Sequence, residues 1–237
     1  MIQILNLTTM KIMMMMSRKI YVFLILLAIP LISFSQEKDF GIWYGASGEF
    51  EIINRLDASV STSVRTYDRA TELEEVFLEG EVAYKFNDYL AAAASYRISE
   101  NIEDDNAFHI RHKWFVHMIG TLPLGDFKFT GRIIFQQRYK TYFEDENDKL
   151  PTSHARFRVK AQYNFPALPV DPYVYGEFFC PLFKESERII DKKRAGGGFT
   201  VDITDRHEVQ LGYIFQRDYF PDLIDENIVT LGYTLKF

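Results

Sequence analysis

Five histidines, His109, His112, His117, His154 and His207, are the side chains best suited to acid-base work, and their neighbours decide what they can do. His109 and His117 share one face of a period-two segment with Arg111 and Lys113 between them, while His112 shares the other face with Trp114. Such neighbours create no obvious general base, and the chain has no His-x-Ser spacing and no paired-carboxylate motif. No catalytic constellation is found, so the chain is not expected to be an enzyme. A Ser or Asp at the barrel rim, brought by the fold within hydrogen-bond reach of His109 or His117, would reopen the question.

The basic residues have more to offer. In ARFRVKAQYNF, Arg156, Arg158 and Lys160 alternate with Phe157, Val159 and Ala161, so cations and apolar groups occupy opposite faces of one strand. The same alternation groups Arg111, Lys113, Arg132 and Arg138 with them, and sets Glu79 and Glu81 apart from Leu78, Gly80 and Val82. A row of guanidinium and ammonium groups on one wall is chemistry for small anions.

Other features offer less. The acidic runs 100–106 and 144–148 could supply oxygen to a hard cation, yet both lack the Gly and terminal Glu of an EF-hand loop. They are expected to be solvated loops, with no metal and no cofactor bound. Gly196, Gly197 and Gly198 have no P-loop lysine after them and more plausibly make room for bulky neighbours. Cys180 is the single cysteine, so no intramolecular disulfide can form.

What positions these residues is a succession of alternating segments: 40–52, 56–67, 74–86, 89–98, 108–122, 127–138, 155–165, 172–183, 194–203, 208–217 and 227–237. Their lengths suit tilted strands crossing a bilayer. Connections alternate between tight turns, at 54–55, 87–88, 125–126, 166–171 and 204–207, and longer acidic loops at 68–73, 99–107, 139–154, 184–193 and 218–226. That rhythm is the mark of a barrel with short periplasmic turns and longer outside loops. Eleven strands conflict with the even number usual for bacterial single-chain barrels, so one boundary is expected to be wrong: either the 40–52 segment begins on the outer side after the residues before it have passed through the lumen, or one strand is missed or overcounted.

A barrel also resolves a conflict in composition. Mean hydropathy resembles that of a soluble protein, and only alternate residues of a barrel strand need be greasy. Aromatics make up 16% of the chain, enough for interfacial girdles, with Trp43, Tyr44, Tyr89, Tyr139, Tyr142, Phe143, Tyr173, Tyr219 and Phe220 near strand ends. An arginine facing lipid would cost roughly 2–4 kcal/mol near the midplane, so the bases are assigned to the lumen.

Lys11, Arg18 and Lys19 precede an apolar run from Ile20 to Ile32 and the small residues Ser33 and Ser35, which reads as a signal peptide over 1–35. A single barrel domain over 36–237 is expected to follow. The net charge of −6 becomes more negative when that leader departs, which argues against nucleic acid as a partner. At the other end, NIVTLGYTLKF puts Val229, Leu231, Tyr233, Leu235 and Phe237 on one face and finishes on an aromatic.

With its leader, the early Phe40-Gly41-Ile42-Trp43, the run 59–65 ending on Arg65 and the closing LGYTLKF, the chain resembles the uncharacterised outer-membrane barrels of Bacteroidetes-type bacteria, domain of unknown function 2490. The resemblance implies location and fold and brings no site residues. The fold expected is all-β, an antiparallel up-and-down transmembrane β-barrel of about 10–12 strands. Expected partners are outer-membrane lipid, lipopolysaccharide and, through Phe237, the barrel-assembly machinery. The leading functional expectation is a polar, locally basic lumen that passes or binds small anionic solutes. The alternative is a non-conducting structural or adhesive barrel presenting acidic loops, and a membrane-embedded hydrolase comes third.

Overall fold

The computed structural model describes residues 39–102, 107–143, 146–183, 188–219 and 223–237. The expected signal peptide at 1–35, residues 103–106 and 144–145 of the acidic runs, and Phe220 lie outside the described residues.

Alternation of apolar and polar side chains is realised as eleven strands among the described residues. They are β1 (Asp39–Ile53), β2 (Leu56–Tyr67), β3 (Glu72–Lys85), β4 (Leu90–Ile102), β5 (Phe108–Leu124), β6 (Phe127–Lys140), β7 (Thr152–Tyr163), β8 (Val170–Leu182), β9 (Lys192–Thr204), β10 (His207–Asp218) and β11 (Ile224–Lys236). A short 3-10 turn at Glu146–Lys149 precedes β7. Every strand pairs antiparallel with its chain neighbour, and β1 pairs with β11, so the sheet closes on itself. Closure satisfies backbone donors and acceptors laterally, without water, as a sheet in hydrocarbon must.

Among the described residues the count of eleven stands: no strand is missed or overcounted, and β1 begins on the side of the longer loops, as the first of the two expected explanations requires. With an odd number, the first and last strands run in the same direction, so the seam is a parallel ladder from Asp39↔Glu226 to Glu49↔Lys236. Asp39 therefore enters at the rim that carries the longer loops, whereas Phe237 ends at the rim of the tight turns, stacked on Phe50 at 4.5 Å. One of those turns uses Gly125 at φ 60°, a conformation glycine adopts without strain. The expected acidic loop at 68–73 is instead a turn at 68–71, with the Ala70 amide donating to the Phe40 carbonyl at 2.9 Å.

Large apolar side chains stand exposed along the outer face, among them Leu78, Val82, Phe157, Val159, Val174 and Leu231. Hydrocarbon accepts such a surface and water does not. No helix among the described residues is long and apolar enough to cross a membrane; this chain is a transmembrane barrel that crosses with strands. Tyr44, Tyr89 and Tyr139 are exposed aromatics, as girdle positions require. Trp43 and Tyr173 are not girdle residues. Both share the inner face with the arginines, because each falls on the inward parity of its strand. Tyr142 stacks on His109 at 4.0 Å.

Candidate functional site

Two tiers of inward side chains divide the interior. The upper tier lies nearer the loop-bearing rim and forms a continuous belt of arginines and aromatics. Arg97 stands over Phe115 at 5.5 Å and over Phe77 at 3.6 Å; Arg65 stands over Phe77 at 5.0 Å and over Trp43 at 4.0 Å. Arg194 then spans from Trp43 on β1 to Phe179 on β8, 5.0 Å from each ring, and Arg156 covers Phe179 at 4.4 Å. The chain of contacts ends where Arg156 Nη1 donates to Gln136 Oε1 on β6 at 2.9 Å. A guanidinium over an aromatic face is attracted by the ring quadrupole, more strongly when water is displaced.

Carboxylates neutralise most of this belt. Glu75, 2% exposed, accepts from Arg65 at 2.5 Å and from Lys113 at 2.7 Å. Arg97 donates to Glu79 at 2.7 Å, and Arg156 to Glu177, also 2% exposed, at 2.8 Å. Arg194 donates to the neutral Gln216 at 2.6 Å. Phe115, Ile134, Ile214 and Ile228 fill the spaces between, each under 9% exposed although all point inward.

The lower tier lies nearer the tight turns and is built differently. Arg132 on β6 and Arg158 on β7 are directly opposed in register, and among the described residues neither forms an ion pair. Like charges set opposite one another cost a sheet up to about 1 kcal/mol, so this pair is a liability unless something anionic lies between them. Arg158 rests on the Tyr175 ring at 4.0 Å and the Lys160 ammonium on the Tyr173 ring at 4.5 Å. Missing side chains seat both tyrosines: a Cβ on Gly196 would stand 2.6 Å from the Tyr175 ring, and one on Gly212 would stand 2.7 Å from the Tyr173 hydroxyl. Across the lumen a cavity of about 330 Å³ is lined by Glu49, Glu51, Asp57, Ser59, Glu81, Lys85 and Lys236 among others.

Residues 40–227, most of the barrel, match a family described as protein of unknown function (DUF2490). The chain belongs to that family. No curated protein sequence matches this DUF2490 barrel. Among solved structures, the NanC porin is similar at 12% identity and a TM-score of 0.49, over 77% of this chain and 94% of the porin. The β domain of the Bordetella autotransporter BrkA is similar at 8% identity and 0.47, over 75% of this chain and 78% of that domain. An anion-selective porin from Comamonas acidovorans follows at 9% identity and 0.39, over 75% and 52%.

The residues singled out in the DUF2490 sequence separate into three groups. Lys113, Arg156 and Glu79 belong to the belt, bound in its ion pairs. Arg111 and Arg138 lie nearer the loop-bearing rim, opposite Lys140 and Lys113. Arg132, Arg158, Lys160 and Glu81 belong to the lower tier. Two acids that complete the belt, Glu75 and Glu177, follow from parity alone: Glu75 lies two residues before Phe77, and Glu177 lies between Tyr175 and Phe179. One contact no spacing could announce. Ser95 Oγ lies 3.5 Å from His117 Nε2, although 22 residues separate them, because β4 and β5 place them diagonally on one face.

Proposed function

We propose that this barrel resides in the outer membrane and is a blind vestibule that binds small anions from the side of its tight turns. The single observation that carries this reading is the contrast between tiers: Arg65, Arg97, Lys113 and Arg156 each pair with a carboxylate, whereas Arg132 and Arg158 are opposed in register and, among the described residues, neither forms an ion pair. A phosphate or carboxylate placed between two guanidinium groups accepts paired, charge-assisted hydrogen bonds and removes their repulsion. Arg194 reaches from β9 to Trp43 on β1 and to Phe179 on β8, which supports a belt that narrows the interior and so favours binding over passage, as in the non-conducting alternative. Lipopolysaccharide around the exposed apolar wall, and the assembly machinery at Phe237, are the partners this placement calls for.

Planar-bilayer recording together with equilibrium binding of inorganic phosphate tests the proposal. The purified barrel should give no unit conductance and should bind phosphate. Arg132→Gln with Arg158→Gln should weaken that binding by at least about tenfold, the value of one charge-assisted hydrogen bond. A steady anion-selective current through the unaltered protein would sink the reading.

A further inference from the structure

We infer that Ser95, His117 and Glu81 form a nucleophile, base and acid on the inner wall, acting on small carboxylic esters that carry an anionic group. The anionic part of that substrate rests on the vestibule reading; the triad itself does not. Three consecutive strands supply the residues: Glu81 on β3 and Ser95 on β4 are opposed in register, and His117 on β5 faces Ala93, two residues before Ser95 on β4. The imidazole stands between its partners, with Nε2 3.5 Å from Ser95 Oγ and Nδ1 3.6 Å from Glu81 Oε2.

That order, hydroxyl, imidazole, carboxylate, is the one serine hydrolases need, and it recurs on unrelated folds because only the geometry matters. Both separations are longer than a tight hydrogen bond, as catalytic contacts often are before substrate closes them. His117 is 4% exposed, and its Nδ1 has no hydrogen bond in the structure. A histidine kept only for packing would satisfy a buried ring nitrogen, since an unmade bond there is costly. Here the carboxylate that could satisfy it stands 3.6 Å away, and Glu81 also lines the 330 Å³ cavity.

The reaction balances without a cofactor. Ser95 Oγ attacks the ester carbonyl carbon while its proton passes to His117 Nε2, and Glu81 holds the resulting imidazolium through Nδ1. Arg132 projects from β6 beside His117, whose register partner is Ile134, and so can face the developing oxyanion. Collapse breaks the bond to the alkoxy oxygen, which leaves as the alcohol with the proton from Nε2. Water then gives a proton to Nε2 and its hydroxide to the acyl carbon, after which the carboxylic acid departs and Ser95 regains its proton. Arg158 would hold the anionic group of the substrate.

The test uses the folded, detergent-purified barrel, with heat-modifiable gel migration as the fold control. A small alkyl fluorophosphonate should form an adduct that peptide mass analysis places on Ser95, and a folded barrel left unlabelled there overturns the triad. 4-Nitrophenyl acetate and 4-nitrophenyl hemisuccinate should both be hydrolysed, and Ser95→Ala or His117→Gln should abolish both activities. Glu81→Gln should lower kcat by about 10²- to 10⁴-fold with KM little changed, a split that loss of packing would not give. Arg158→Gln should slow the hemisuccinate about tenfold more than the acetate. Labelling of Ser95 with no preference for the anionic ester would overturn the substrate class and leave the triad standing.

Discussion

The upper and lower tiers of this barrel contain the same kinds of side chain and put them to opposite uses. Above, Arg65, Arg97, Arg156 and Lys113 each meet a carboxylate, and aromatic rings cover the guanidinium faces. Below, Arg132 and Arg158 meet each other. Burial of Glu75 and Glu177 explains why these acids are paired: a charge away from water is tolerable only when paired and hydrogen-bonded. Arg132 and Arg158, half-buried nearer the tight turns, form no ion pair among the described residues, which leaves them available to a ligand. A basic wall is therefore not one functional unit; what each base faces decides whether it seals or binds.

The comparison breaks most severely at Glu75. Changing it to Gln strands Arg65 and Lys113 in the belt and should cost about 3–5 kcal/mol, seen as a lower midpoint of urea unfolding in detergent. A midpoint as high as that of the unaltered protein would mean the belt is not held by its ion pairs. Gly198→Val comes next, because even a Cβ there would lie 2.2 Å from the Leu211 carbonyl oxygen, so β9 and β10 must part. That overpacking should cost about 1–3 kcal/mol in the same unfolding measurement.

A functional rather than energetic contrast follows from Arg194→Ala with Arg97→Ala. Removing the side chain that reaches from Trp43 on β1 to Phe179 on β8, together with Arg97 of the same belt on β4, should open the belt and convert a silent barrel into one with measurable current in planar bilayers. Silence in a correctly folded double variant would place the seal elsewhere. The smallest stability effect belongs to Arg132→Gln, which removes a like-charge neighbour and should leave unfolding within about 1 kcal/mol or raise it slightly. A loss as large as that of Glu75→Gln would show that Arg132 is a structural cation after all.

Much of this was legible from the chain. Period two in VFLEGEVAYKF sets Leu78 and Val82 against Glu79 and Glu81, and the structure keeps that division because successive side chains of a strand must point to opposite faces. The girdle expectation, by contrast, misplaced Trp43 and Tyr173. Their place near strand ends suggests a girdle, but their parity puts them inside, and parity is a geometric constraint where girdle placement is only a preference. The counting rule failed at the seam for a similar reason: even numbers are usual in such barrels, yet a parallel ladder between β1 and β11 closes an odd number without leaving an edge.

The sequence by itself determined that strands would form, roughly where each begins and ends, and which side chains share a face, since all three follow from local alternation. Only the tertiary structure decided which cation meets which acid, that Arg132 and Arg158 are left to each other, and that Ser95 comes within 3.5 Å of His117. Those outcomes depend on register and on closure of the sheet, and a one-residue slip in pairing would move every partner to the opposite face while leaving the sequence pattern unchanged.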